Sequence, residues 1–118
     1  MDPAALLKTA VVLLGITAAG GIVMATLRFS GHDRPPSWLA MLHGLLAGSG
    51  LTLLLYAAFT AGVGTMVWGG IALLVLAALG GVFLNLAYHD RKLPLPKAIV
   101  LVHAAIAVVG YALLFLNR

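Results

Sequence analysis

The polar positions of this chain fall into a few short clusters, and the stretches between them are almost wholly apolar. No charged residue occurs between Lys8 and Arg28, between Arg34 and Asp90, or between Lys97 and Arg118. A helix needs about 20 apolar residues to cross a bilayer. The first and last runs supply one such segment each, and the middle run supplies two with a turn between them. The pattern predicts helices over 5–29, 36–59, 66–88 and 96–117. Strands of a membrane barrel would alternate apolar and polar residues, whereas these runs are continuous.

The predicted ends have local causes. Pro35, Pro36, Pro94 and Pro96 stand at or just before the second and fourth helices, where proline is tolerated. The Gly-rich stretch from Gly62 to Gly70 predicts an uncharged turn between the second and third. Composition strengthens the picture. The chain is 63% hydrophobic and 8% charged. It has no Glu, and its acids are Asp2, Asp33 and Asp90. So little charge cannot cover a soluble domain. The expectation is an all-α membrane protein, one transmembrane bundle over 1–118. Asp2 before Lys8, and an apolar run longer than a signal-peptide core, favour retention of the first helix.

Charge placement gives an orientation. Arg28 and Arg34 flank the first connection, and Arg91, Lys92 and Lys97 lie in the third. The second connection has no basic residue, and Lys8 and Arg118 lie near the termini. The positive-inside rule places connections one and three in the cytoplasm and both termini outside, in a bacterial-type inner membrane. The net charge of +4 then reports orientation among lipids, and nucleic acid is not an expected partner.

An internal repeat relates 1–60 to 61–118. Aligned without gaps, eleven positions are identical: Leu13/Leu73, Leu14/Leu74, Ala18/Ala78, Gly20/Gly80, Gly21/Gly81, Pro36/Pro96, His43/His103, Ala47/Ala107, Gly50/Gly110, Leu53/Leu113 and Leu54/Leu114. About six matches would arise by chance at this composition, so the matched His and Gly pairs carry more weight than the count. His32-Asp33-Arg34 also recurs as His89-Asp90-Arg91. The bundle is therefore expected to consist of two repeated hairpins, a parallel repeat with its axis along the membrane normal. His43 and His103 each lie seven residues beyond the repeated Pro, roughly 10 Å into their helices. His43, Ala47, Gly50 and Leu54 form one helical stripe, repeated by His103, Ala107, Gly110 and Leu114.

An ionisable residue inside an apolar span is a functional candidate. Two of them, equivalently placed, suit axial ligation of one haem b by His43 and His103. Gly21, Gly81, Ala47, Ala107, Gly50 and Gly110 would give clearance for the porphyrin. Arg34 and Arg91, with His32 or His89 nearby, would meet its propionates at the starts of helices two and four. The plainer reading is that each His hydrogen-bonds a neighbouring helix. The absence of Cys excludes disulfides, thiolate ligands and covalent c-type haem attachment.

Four helices with His on the second and fourth resemble the membrane haem-b cytochromes that exchange electrons with quinones, ascorbate or superoxide. That resemblance implies one-electron transfer, with a quinol or a redox-partner protein as donor or acceptor. Such cytochromes usually carry a second His pair, which is missing from helices one and three, so the resemblance implies a single haem. Whether the chain is an enzyme or an electron carrier stays open. The rival class is a non-haem membrane protein, either an accessory subunit or a small transporter; no carboxylate lies within the apolar spans to couple transport to protons.

Other positions have plainer expectations. The His-Asp-Arg segments could bind metal, though polar connections contain such residues in any case. Gly44 and Gly48 form a GxxxG, expected in internal helix packing, and a second copy of the chain is a candidate partner. Trp38 and Trp68 read as interfacial anchors, and Tyr56 and Tyr111 as anchors or core residues. Asn85 reads as a buried amide for a helix, a cofactor or a quinone carbonyl.

Overall fold

A computed structural model describes residues 2–118. It consists of four helices long and apolar enough to cross a membrane: α1 (Pro3–Phe29), α2 (Ser37–Ala61), α3 (Thr65–Leu84) and α4 (Lys97–Asn117). No strand occurs among the described residues. The four predicted spans match within a few residues, because charge and proline define their limits.

Each helix end has an identifiable cause. Asp2 caps α1 by accepting a hydrogen bond from the Ala5 N–H at 2.8 Å, with Pro3 at the first helical position. Pro36 and Pro96 immediately precede α2 and α4. Gly62 ends α2 at φ 81°, a value that glycine adopts without steric cost. The second connection is confined to 62–64. Gly69 and Gly70, expected in that turn, are instead helical, and Gly70 packs against α4.

The end of α3 widens into a π-helical turn, Asn85–His89. Lys92 at φ 57° then reverses the chain, and the N–H groups of Lys92 and Leu93 donate to the carbonyls of His89 and Tyr88. Asn85 is exposed here, its amide 3.5 Å from an Asp90 carboxylate oxygen. The expectation of a buried amide was wrong, because the residue falls at the helix end facing outward.

The helices form a square in chain order, with α4 returning to α1. Among the described residues, no Cα of α1 comes within 8 Å of α3, nor any of α2 within 8 Å of α4. Packing is close within the hairpins α1–α2 and α3–α4 and much thinner between them. Equivalent glycines bring each hairpin together. A Cβ on Gly50 would stand 2.7 Å from Leu14 Cγ, and one on Gly110 would stand 3.0 Å from Leu73 Cβ and 3.1 Å from the Gly70 carbonyl oxygen. Small residues allow this approach.

Two separate apolar cores result. The larger lies toward the chain termini and includes Ala10, Leu14, Leu54, Ile71, Leu74 and Leu114. The smaller, Leu84, Leu95 and Val100, lies toward the first and third connections. Those connections lock together. Leu95 N–H donates to the Asp33 carbonyl at 3.0 Å. Arg28 Nε donates to the Leu95 carbonyl at 2.8 Å, and Arg34 Nη1 to the Lys92 carbonyl at 2.9 Å. His89 Nε2 donates to the Pro35 carbonyl at 2.9 Å. At the opposite end, the Tyr111 hydroxyl donates to the Val11 carbonyl at 2.9 Å, across the seam between hairpins.

The exterior carries many large apolar side chains. Trp38, Phe59 and Leu116 are 67%, 76% and 77% exposed. Gly44 and Gly48 also face outward, with no neighbouring atom within 4 Å of a β-carbon there. Their expected role inside the bundle is therefore corrected. On a helix that is apolar all round, the inward face has no distinct signature.

Candidate functional site

Between the two cores lies a layer of mostly small, half-buried residues around two histidines, with Thr17 and Ala77 buried beside the rings. Ala18, Gly20, Gly21, His43, Ala47, Ala78, Gly80, Gly81, His103 and Ala107 all belong to it. His43 reaches inward from α2 and His103 from α4, across the diagonal of the square. Their ring centroids lie 6.5 Å apart, with the planes at 72°.

Each imidazole rests on the glycine pair of its own hairpin partner. A Cβ on Gly21 would stand 3.0 Å from His43 Cε1, and one on Gly81 would stand 3.2 Å from His103 Cε1. At Gly20 and Gly80 the corresponding distances to Nδ1 are 3.9 and 3.6 Å. The repeated glycines thus leave space that the repeated histidines fill. The two hairpins use the same device at positions sixty residues apart.

The hydrogen bonding differs between the halves. His43 Nδ1 donates to the Thr17 carbonyl of α1 at 2.9 Å. That bond fixes the proton on Nδ1 and leaves the Nε2 lone pair available. Ala77 occupies the equivalent place on α3, and its carbonyl interacts with the His103 ring. It closes no hydrogen bond, and His103 Nδ1 is a buried polar atom without a partner.

The other expected residues separate into groups. Ala47 and Ala107 sit one turn from the imidazoles and belong to the layer. Gly50 and Gly110 lie two turns away, roughly 10 Å, where neighbouring side chains and backbone already fill the space a β-carbon would take. Their place in the fold is helix contact. Arg34 is half-buried and lines a polar cleft of about 620 Å³ at the interlocked connections, with His32, Asp33, Ser37, His89 and Asp90. Arg91 is exposed and is not among the residues lining it. Among the described residues, no group of three or more His, Cys, Asp or Glu side chains could hold a metal ion. His32 and His89 instead bond backbone carbonyls.

Sequence reasoning missed the Thr17 carbonyl and the Tyr111 bond, since a backbone acceptor leaves no mark in the sequence. Comparison of the chain with known protein families, with curated proteins and with solved structures finds no match.

Proposed function

We propose that this chain is a small integral membrane b-type cytochrome, holding one haem b between His43 and His103 and passing single electrons. The observation that carries the reading is the diagonal imidazole pair at 6.5 Å. An imidazole nitrogen binds a transition metal at about 2 Å, and the ring centroid lies about 1 Å behind it, so two imidazoles on opposite sides of one metal have centroids about 6 Å apart. Two further features fit the group. The residues beside the rings are Ala and Gly, and the Gly pairs set both rings against backbone.

The setting is a bilayer. A bundle 43 Å long suits a membrane of about 40–45 Å including headgroups, and an apolar exterior suits lipid. The halves read as a duplicated hairpin, supported by the equivalent Gly–His and Gly–Leu contacts. Connections one and three are assigned to the cytoplasm of a bacterial-type inner membrane, because the basic residues gather there.

Haem, when bound, supplies a one-electron couple in a low-dielectric interior. The chain's own residues do the rest. The Thr17 carbonyl holds the His43 proton on Nδ1, so that Nε2 can be a ligand. The glycine pairs keep the backbone clear of both rings. Arg34 and the start of α2, which bears no side-chain cap, offer positive charge to propionates at the cytoplasmic side. A quinol or a redox-partner protein would exchange electrons at that edge.

The test is an absorption spectrum of the detergent-purified protein, oxidised and then reduced. A low-spin b-haem spectrum is expected, lost in both His43→Ala and His103→Ala. A colourless protein that takes up no added haem would leave the accessory-subunit or transporter reading. An unaltered spectrum in both variants would overturn the ligand assignment.

A further inference from the structure

The two imidazoles occupy equivalent positions in the repeat, but their surroundings are unequal. His43 is held at both ends of its side chain, by its backbone in α2 and by the 2.9 Å bond from Nδ1 to the Thr17 carbonyl. Thr17 is itself buried, and its hydroxyl donates to the Leu13 carbonyl at 2.8 Å. His103 lacks the second hydrogen-bonded hold, because its Nδ1 is buried and closes no hydrogen bond. The difference is written in the sequence, where Thr17 is matched by Ala77. A hydroxyl bonded one turn back bends a helix locally, and Ala77 has no such group.

A hydrogen bond from the far nitrogen of a ligating imidazole fixes its orientation and raises its basicity. Removing such a bond lowers metal affinity by about 10- to 100-fold. The bond also selects the tautomer with a free Nε2. At His103 the Ala77 carbonyl stands beside the ring without closing a full hydrogen bond, so the tautomer and orientation are held less firmly than at His43.

We infer that His43 is the anchored ligand and His103 the exchangeable one, so that a small neutral molecule such as carbon monoxide enters on the His103 side of the iron. This inference rests on the haem reading above and adds a binding site to it. It would make the protein more than an electron wire, since a small ligand could take the place of His103.

The experiment compares His43→Ala and His103→Ala by titrating haem into the detergent-purified apo-proteins, with helicity and gel filtration checking the fold. His103→Ala is expected to bind haem at least about tenfold more tightly than His43→Ala. It should show a high-spin spectrum that returns to low-spin with added imidazole, and it should bind carbon monoxide when reduced. Equal affinities, or tighter binding by His43→Ala, overturn the inference while leaving the haem reading intact. A wild type that takes up no haem overturns both. A second readout needs no haem. Ring ¹⁵N shifts of the apo wild type should show His43 as a single Nδ1–H tautomer and His103 as a different or mixed state. Two identical Nδ1–H patterns would overturn the inference even if neither variant could be loaded.

Discussion

Gly21 of α1 and His43 of α2 share one van der Waals space: a β-carbon on the glycine would stand 3.0 Å from Cε1 of the ring. Gly21→Ala should therefore displace the imidazole by a few tenths of an ångström from a geometry that an iron would share with His103. Haem occupancy should fall by about tenfold while the bundle stays folded. Gly44→Ala is the control. No atom lies within 4 Å of its new methyl, and alanine suits a helix better than glycine by up to about 1 kcal/mol. Haem titration of the two variants separates them. Equal occupancy would show that the glycine pair does not position the ring.

The second hairpin should tolerate alanine less well than the first at its closest approach. A Cβ on Gly70 would meet the Gly110 carbonyl oxygen at 2.8 Å and the Leu114 nitrogen at 3.1 Å, both backbone atoms. A Cβ on Gly50 would meet the Leu14 side chain at 2.7 Å, and a side chain is displaced at lower cost than a backbone. Gly70→Ala should cost about 1–3 kcal/mol from overpacking, and Gly50→Ala less. Thermal unfolding in detergent, followed by circular dichroism, gives the order of the two.

The Tyr111 hydroxyl ties α4 to α1 through the Val11 carbonyl, where the seam between hairpins is otherwise thin. Tyr111→Phe removes one hydrogen bond and keeps the ring, so the loss should be about 0.5–1.5 kcal/mol. The loss should appear in separation of the hairpins before their internal melting. Amide exchange can check this, with early loss of protection expected along the α1–α4 seam.

These positions also show what the sequence could and could not convey. Helix number and limits were legible, since uncharged runs and prolines fix them by composition alone. The closeness of His43 and His103 was legible from their equal distance to the repeated prolines. Rotation about each helix axis was not. Gly44, Gly48 and Asn85 read as inward from the sequence and face outward, because helices apolar on every side provide no contrast from which to read a buried face. Gly50 and Gly110 were grouped with the histidines by their stripe, yet their space is filled by the partner helix. Acceptors such as the Thr17, Val11 and Pro35 carbonyls are invisible in the sequence, because every residue has one.

The thin seam has a consequence for how the molecule is made. Each hairpin contains its own glycine contacts and the cradle for its own imidazole, so it can complete most of its packing as soon as it is inserted. Docking of the preformed halves then comes last. A flat prosthetic group would enter sideways through that gap while it stands open, with the interlocked first and third connections serving as the clasp.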